Sequence, residues 1–378
     1  MGDDVQAGIS RPIAVPPQVR LGSAPQGPML ETLLDREEFI ERQASFQFGV
    51  CDAPAELDPK ISRRFISTNP ALRTPKKMKD GRTRRRARRT ADLWKEMHRL
   101  GLRSPIISRM SDAIADVNPF PAFQYNRPTG TPNAILWPLR KVHSLESESF
   151  CGPPDLEEID LAQKKPIVFW RGKLTGFSSY GKQASHLVEE FAKNEIDRDE
   201  LLKHLITIPR YVFVARYFDV DGFDVGFVNH TGEMHDLYGS IPEIARLHRP
   251  FTSHAEQLGF KYLMSIQGHD VGTSFGWQLA SKSVLLKENY RWEVFFDCHV
   301  RPWDHYVPVE PGFGDVPDKV AWCEANPDAC ATMVRNRQEL VPLLIDPKVR
   351  REALRNVVER YDSFYEQWAA NGGRVTSG

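Results

Sequence analysis

From Ser104 onward, short apolar runs repeatedly end in polar, glycine-containing loops, and that alternation confines the chain to layered α/β folds. The runs and loops are PIIS then RMSD, PIVFW then RGKLTG, RYVFVARYF then DVDG, and YLMSI then QGHDVG. Helical stretches such as SHLVEEFAKNEIDRDELLKHL lie among them. In such sheets, ligands bind outside the carboxyl ends of the strands. Functional residues are therefore expected in the post-strand loops.

A chain of 378 residues exceeds one ordinary domain, so two are expected. Charge of 26% with 10% aromatics argues against a mostly disordered chain. No apolar run approaches the ~20 residues that cross a bilayer, and the N-terminus lacks an apolar leader core. A cytoplasmic protein is the expectation. The 5 cysteines are scattered and form no CxxC pair, so neither a disulfide framework nor a zinc site is expected. Residues 1–30 read as a loose lead-in, followed by a helix through ETLLDREEFIERQASF.

Between Arg73 and Arg89, 10 of 17 residues are basic, opposed only by Asp80. The run reads as a nucleic-acid arm, a contact for anionic lipid or glycolipid, or a solvated loop leading into ADLWKEMHRLGL. The net charge is 0 and no nucleic-acid module accompanies it, so nucleic acid is not expected as a partner. Near the C-terminus, Asp346 and Pro347 supply a helix cap and a first-turn proline. Leu354, Val358, Tyr361, Tyr365 and Trp368 then form one apolar stripe that reads as core, and Gly372 is a plausible stop.

Several motifs are decoys. Gly268-His269-Asp270-Val271-Gly272 resembles an Asp nucleophile elbow, and the overlapping Gly272-Thr273-Ser274-Phe275-Gly276 matches G-x-S-x-G. An α/β-hydrolase also needs a serving histidine well downstream, and none follows His305. Asp219, Asp221 and Asp224 lack the remaining ligands of a calcium loop, so a turn at Gly222 is expected. His230 and His235 are one step off helical zinc spacing. No metal site is expected. The basic-glycine segment Trp170-Arg171-Gly172-Lys173 is more informative, because it puts two cations and backbone N–H groups at a strand end. The loop Gly268 to Ser274 precedes a helix whose N-terminal amides favour an anion. Together they point to a nucleotide or nucleotide sugar.

The stretch KYLMSIQGHDVGTSFGWQLASKSVLLKENYRWEVFFDCHVRPWDHYVPV closely resembles the donor-domain core of family 90 glycosyltransferases. The shared elements are Lys261-Tyr262, the glycine loop into Ser274-Phe275, Ser283-Val284, Glu293-x-Phe295-Phe296 and Pro302-Trp303-x-His305-Tyr306-x-Pro308. Phe169-x-Arg171-Gly172 is similar to another family segment, and Ile107 to Asp112 to the strand end that carries the catalytic aspartate. The resemblance covers roughly residues 100 to 370.

The resemblance implies a GT-B architecture, with two Rossmann-like domains facing across a cleft and a last helix crossing back. The expected boundaries are 31–158 for the acceptor domain, 159–345 for the nucleotide-sugar domain and 346–372 for the returning helix. It also implies inverting, metal-independent transfer of glucose or xylose from a UDP-sugar, with no cofactor. The absence of a leader points to a bacterial-type enzyme of lipopolysaccharide or capsule biosynthesis, at the inner face of the cytoplasmic membrane. Asp112 is the candidate base, with Asp116 as rival. Donor contacts are expected from Arg171, Gly172, Lys173, Gly268, Val271, Gly272, Thr273, Ser274 and Phe275. Glu293 is expected either at the ribose or in a salt bridge with a neighbouring arginine, and His305 and Tyr306 mark the family and are expected to hold a turn. Gln267, Gly276 and Lys173 depart from the family pattern, which leaves the sugar and the cations facing the diphosphate open. The alternatives are an α/β-hydrolase using the Gly268–Gly276 loop and a polyanion- or membrane-binding protein using the basic run.

Overall fold

The computed structural model describes residues 35–70, 81–114, 116–140, 159–228 and 233–374. The lead-in 1–30, the basic run up to Asp80, Cys151, His230 and the residues before the expected 158/159 boundary lie outside them. The N-terminal unit contains α1 (Arg36–Phe48), α2 (Pro59–Ser62), α3 (Gly81–Arg99), β1 (Ile107–Ser108), β2 (Ala122–Gln124), β3 (Arg127–Pro128) and β4 (Ala134–Leu136). The C-terminal unit begins with β5 (Lys165–Gly172), α4 (Ala184–Ala192), α5 (Arg198–Leu205), α6 (Pro209–Tyr217), β6 (Phe223–Phe227) and α7 (Glu233–Gly239). It continues through α8 (Pro242–Ala245), α9 (His254–Gln257), β7 (Phe260–Ser265), α10 (Phe275–Leu279), β8 (Val284–Glu288), β9 (Trp292–Glu293) and β10 (Val307–Val309). Three helices close the chain: α11 (Val316–Ala325), α12 (Pro327–Ile345) and α13 (Pro347–Ala370).

The C-terminal unit is a parallel five-stranded sheet in the order β10-β8-β7-β5-β6. Both faces are covered, so its strands are apolar on both sides. Val168, Trp170, Tyr262, Met264, Val284 and Leu286 pack into one cluster with α4, α5 and α6. Phe169, Leu263 and Leu285 face the other way, into a cluster that reaches Phe39, Ile40 and Leu136 of the N-terminal unit. The chain leaves β5 for β6 on one side, then crosses to β7 on the other. The loops after β5 and β7 therefore diverge at a topological switch point, the place where such sheets bind ligands.

The N-terminal unit holds a three-stranded parallel sheet, β1-β2-β4. The C-terminal helix α13 returns to cover it. Asp346 caps α13 through the Lys348 amide at 2.6 Å, and Pro347 occupies the first turn. Leu354, Val358, Tyr361 and Trp368 lie in one core with Phe120 and Phe123. The Trp368 indole donates to Pro54 O and the Tyr361 hydroxyl to Pro105 O, both at 2.8 Å. Two parallel α/β units with the last helix on the first constitute the GT-B arrangement. A short antiparallel pair, β3 with β9, ties the units together.

Three sequence expectations change. RYVFVARYF is not a strand: Pro209 starts α6, whose Phe213, Val214 and Tyr217 are buried on one helical face, and the strand is FDVGF. A short apolar run cannot be assigned by periodicity alone. The stretch SHLVEEFAKNEIDRDELLKHL is two helices, broken at Asn194 (φ 57°) and restarted where Asp197 caps the Glu200 amide. The second half of the basic run is no loop, because α3 starts at Gly81 and runs through Arg99. Arginine is a strong helix former, and neither glycine nor proline interrupts this stretch.

Candidate active site

The post-β5 loop and the glycine loop after β7 meet at the switch point. Gly176, at φ 124°, lies so close to Gly268 that an added Cβ would stand 3.0 Å from Gly268 O. At Gly272 a Cβ would come within 2.8 Å of Ile266 O. Glycine is required at both positions by close backbone approach. Arg210, in the first turn of α6, fastens the loops together. Its guanidinium donates to Gln267 O and Lys173 O at 3.0 Å each and to Thr175 Oγ1 at 2.7 Å. Burial pulls this guanidinium down to about 10, with Glu288 and Asp270 opposing. Nothing in the sequence pointed to Arg210, since its segment read as a strand.

Across the cleft, the N-terminal unit contributes Asp112, four residues beyond β1. Arg89, the last residue of the basic run, donates to Asp112 Oδ1 at 2.8 Å. The Tyr125 hydroxyl also contacts Asp112 Oδ1 and lies 2.8 Å from Asp270 Oδ2. Asn126 Nδ2 reaches the same Asp270 oxygen at 2.8 Å, and the Val271 amide takes Oδ1 at 2.7 Å. Ala113, in the left-handed region at φ 51°, points its N–H to Asp270 Oδ2 at 3.3 Å. For a residue with a Cβ that backbone is uncommon. Burial works to raise the Asp112 carboxyl, yet Tyr125, Arg89 and nearby His269 hold it below its ordinary range. Burial pushes Asp270 up, opposed by the Tyr125 hydroxyl and reinforced by the charge of Asp112. Asp116 is turned away: it pairs with Arg109 at 3.2 Å and its side chain is 84% exposed, against 39% for Asp112.

The strand-end cations are arranged differently from expectation. Arg171 spends its guanidinium inside the protein, on Asp224 Oδ1 (2.5 Å), Asp224 O (2.9 Å), Trp170 O (3.1 Å) and Pro250 O (3.3 Å). It fastens the edge strand β6. Lys173 is exposed, and Gly172 gives room to the Trp170 ring, 2.7 Å from where a Cβ would lie. Glu293 is likewise turned to Arg127, at 3.0 Å, in the β3–β9 pair. The salt-bridge reading is the one the geometry supports. The helix after the glycine loop, α10, has 5 residues, too few for a substantial dipole. Thr273 is exposed and Ser274 half-buried, whereas Gly268, Val271, Gly272 and Phe275 are buried.

Lys287 was not foreseen. It sits at the carboxyl end of β8, 7% exposed, with its ammonium 4.1 Å from the Tyr290 ring centre, 5.1 Å from Tyr306 and 5.4 Å from Phe275. Among the described residues it donates no hydrogen bond. The Gly272 amide lies near enough to the Tyr290 hydroxyl to oppose the effect of its burial, which sets this cage beside the glycine loop. Burial lowers the Lys287 ammonium, with Asp297 and Glu288 opposing. Beside it, Glu288 accepts from Gln267 N (2.9 Å) and Nε2 (3.0 Å), and burial pushes its carboxyl up to about 7. His305 holds a turn by accepting the Arg301 amide at 3.1 Å.

The Asp270 of the elbow-like motif has both oxygens engaged and is 7% exposed, unlike a nucleophile. The Asp219 and Gly222 segment is a turn, with both residues at positive φ. No group of three or more metal-binding side chains occurs among the described residues.

Comparison with known proteins follows the same segment. The model of glycosyl transferase family 90 matches residues 234–348. The O-glucosyltransferase LpsA of Dichelobacter nodosus is 28% identical over 120 residues, 32% of this chain and 38% of that protein. Protein O-glucosyltransferase 3 of Mus musculus is 25% identical over 88 residues, 23% of this chain and 18% of that protein. The chain thus spans well under half the length of these curated relatives. The crystal structure of TarM overlays with a TM-score of 0.33 at 14% identity, covering 62% of this chain and 39% of that one, a likeness too loose to carry weight. The glycine loop, the Lys287 cage, β9 and the Pro302–Pro308 turn all fall within residues 234–348, the stretch that matches the model of glycosyl transferase family 90.

Proposed function

We propose that the chain transfers a sugar, glucose or xylose, from a UDP-sugar to a glycan hydroxyl with inversion at the anomeric carbon. One observation carries the reading: Asp112, on the N-terminal unit, stands across the cleft from the glycine loop of the family-matched region, joined to it through Tyr125. Asp112 takes the proton of the acceptor hydroxyl as that oxygen bonds the anomeric carbon. The bond from that carbon to the diphosphate breaks, and the diphosphate leaves with the electron pair. Lys287, which among the described residues donates no hydrogen bond, is the cation proposed to balance the leaving charge. Glucose is favoured because the relatives named above are O-glucosyltransferases.

The acceptor is proposed to be lipopolysaccharide or capsule glycan. No helix of the described residues is long and apolar enough to cross a membrane. Contact with an anionic membrane is proposed through Arg84, Arg85, Arg86 and Arg88, which are exposed on α3 while Arg89 turns to the cleft. The test is a panel of UDP-, GDP- and ADP-sugars, read by thermal shift and by release of the nucleotide. Stabilisation and turnover with a UDP-sugar are expected. Neither response with any donor would remove the transferase reading.

A further inference from the structure

The Tyr125 hydroxyl has one hydrogen and lies within bonding reach of two carboxylate oxygens, Asp112 Oδ1 and Asp270 Oδ2. It donates to only one of them. With both acids ionised, the other contact would set lone pair against lone pair, so a second proton belongs in the trio. Its place follows from the surroundings. Asp112 has Arg89 at 2.8 Å, His269 nearby and partial access to water, all of which favour its ionised form. Asp270 is sealed and has no cation bonded to it: Tyr125, the Asn126 amide and the Ala113 and Val271 amides all reach it, and burial with the charge of Asp112 outweighs their pull toward the ionised form. The charged and titratable groups that act on Asp270 are Tyr125, Asp112 and Arg210, and Arg210 already spends its donors on Gln267, Lys173 and Thr175.

We propose that Asp270 keeps a proton at neutral pH and directs it as a hydrogen bond to the Tyr125 oxygen, whose own hydrogen goes to ionised Asp112, so that two acids from opposite units share one negative charge. Asp270 is then a positioning residue. It leaves Tyr125 no choice of acceptor, and Tyr125 in turn holds Asp112 Oδ1, freeing Oδ2 for the acceptor hydroxyl. Loss of the Asp270 proton would set two like charges about one hydroxyl and loosen the contact between the units. Transfer should therefore fall at alkaline pH for a reason located in Asp270.

This inference rests on the transferase reading for its kinetic consequence, but not for its proton count. Carbon-13 spectra of aspartate-labelled protein should show one side-chain carboxyl still in its acid form at pH 7, absent in Asp270→Asn. In transfer assays Asp270→Asn, which keeps a donor toward Tyr125 with no proton to lose, should lack the alkaline limb of the kcat profile. Asp270→Ala and Tyr125→Phe should lower kcat at least about tenfold with little change in donor KM, and should move the acid limb upward. An ionised Asp270 at pH 7, or a proton resident on Asp112 instead, would overturn the proposal. A resident Asp270 proton in a protein that turns over no donor would leave the pair standing and remove the transferase reading alone.

Discussion

Arg127 and Glu293 face each other at 3.0 Å where β3 pairs with β9, and they are the ion pair that joins the two units beside the cleft. Arg127 also donates to Phe46 O (2.6 Å), Ala134 O (2.9 Å) and Gln47 O (3.3 Å). Its guanidinium lies so near Gly49 that a Cβ there would come within 2.6 Å. Removing the arginine strands three carbonyls and a carboxylate. Arg127→Ala should therefore cost about 3 to 5 kcal/mol, and Glu293→Gln about 1 to 3 kcal/mol. UDP affinity should be unchanged in Glu293→Gln, as calorimetry would show. A lower affinity at unchanged melting temperature would return Glu293 to the ribose.

Asp112→Asn should fold normally, bind UDP and lose transfer by about 10² to 10⁴ in rate. Asp116→Asn, at an exposed pair with Arg109, should change transfer by less than about threefold. Measuring both in one assay decides between them. An inactive Asp116→Asn beside an active Asp112→Asn would place the base on the wrong aspartate.

Lys287 should take the role expected of Arg171, and Arg171 a structural one. Lys287→Met keeps the volume and removes a cation with no hydrogen-bond acceptor among the described residues, so it should weaken UDP binding by about tenfold or more without lowering the melting temperature. Arg171→Ala should instead destabilise the β5–β6 edge by about 2 kcal/mol or more and leave UDP affinity unchanged. Equal UDP affinity for wild type and Lys287→Met would exclude Lys287 from the diphosphate site.

The pH dependence of stability should carry the mark of Glu288. Its carboxyl rises from an ordinary 4.5 to about 7 on folding, so the folded protein holds a proton that the unfolded chain releases. Its contribution is complete below pH 4.5 and is lost as pH rises through 7, on the order of 3 kcal/mol. Asp297, raised to about 6, acts in the same sense, whereas His299, lowered to about 3, makes stability rise with pH below its ordinary value. Glu288→Gln should remove the fall between pH 4.5 and 7, read by urea melts at several pH values. An unaltered slope would mean that Glu288 is ionised in the folded protein.

The sequence alone determined the class of fold, the glycine loop and the C-terminal helix, because these are local. Strand-to-loop alternation, an Asp-Pro start and an aromatic stripe at helical spacing each report on neighbours within a few residues. The resemblance also singled out Asp112, which Tyr125 joins to the glycine loop more than 150 residues later. What tertiary structure decided is which charges are spent. Arg171 reads as a phosphate ligand until Asp224 is seen beside it, and Arg89 reads as one of ten loose cations until Asp112 is found 2.8 Å away. Arg210 was hidden in an apolar run whose period is ambiguous, and Asp270 looked like a nucleophile until Tyr125 and Asn126 closed over it. A side chain's chemistry depends on its acceptors and its distance from water, and both are set by residues remote in sequence that only folding brings together.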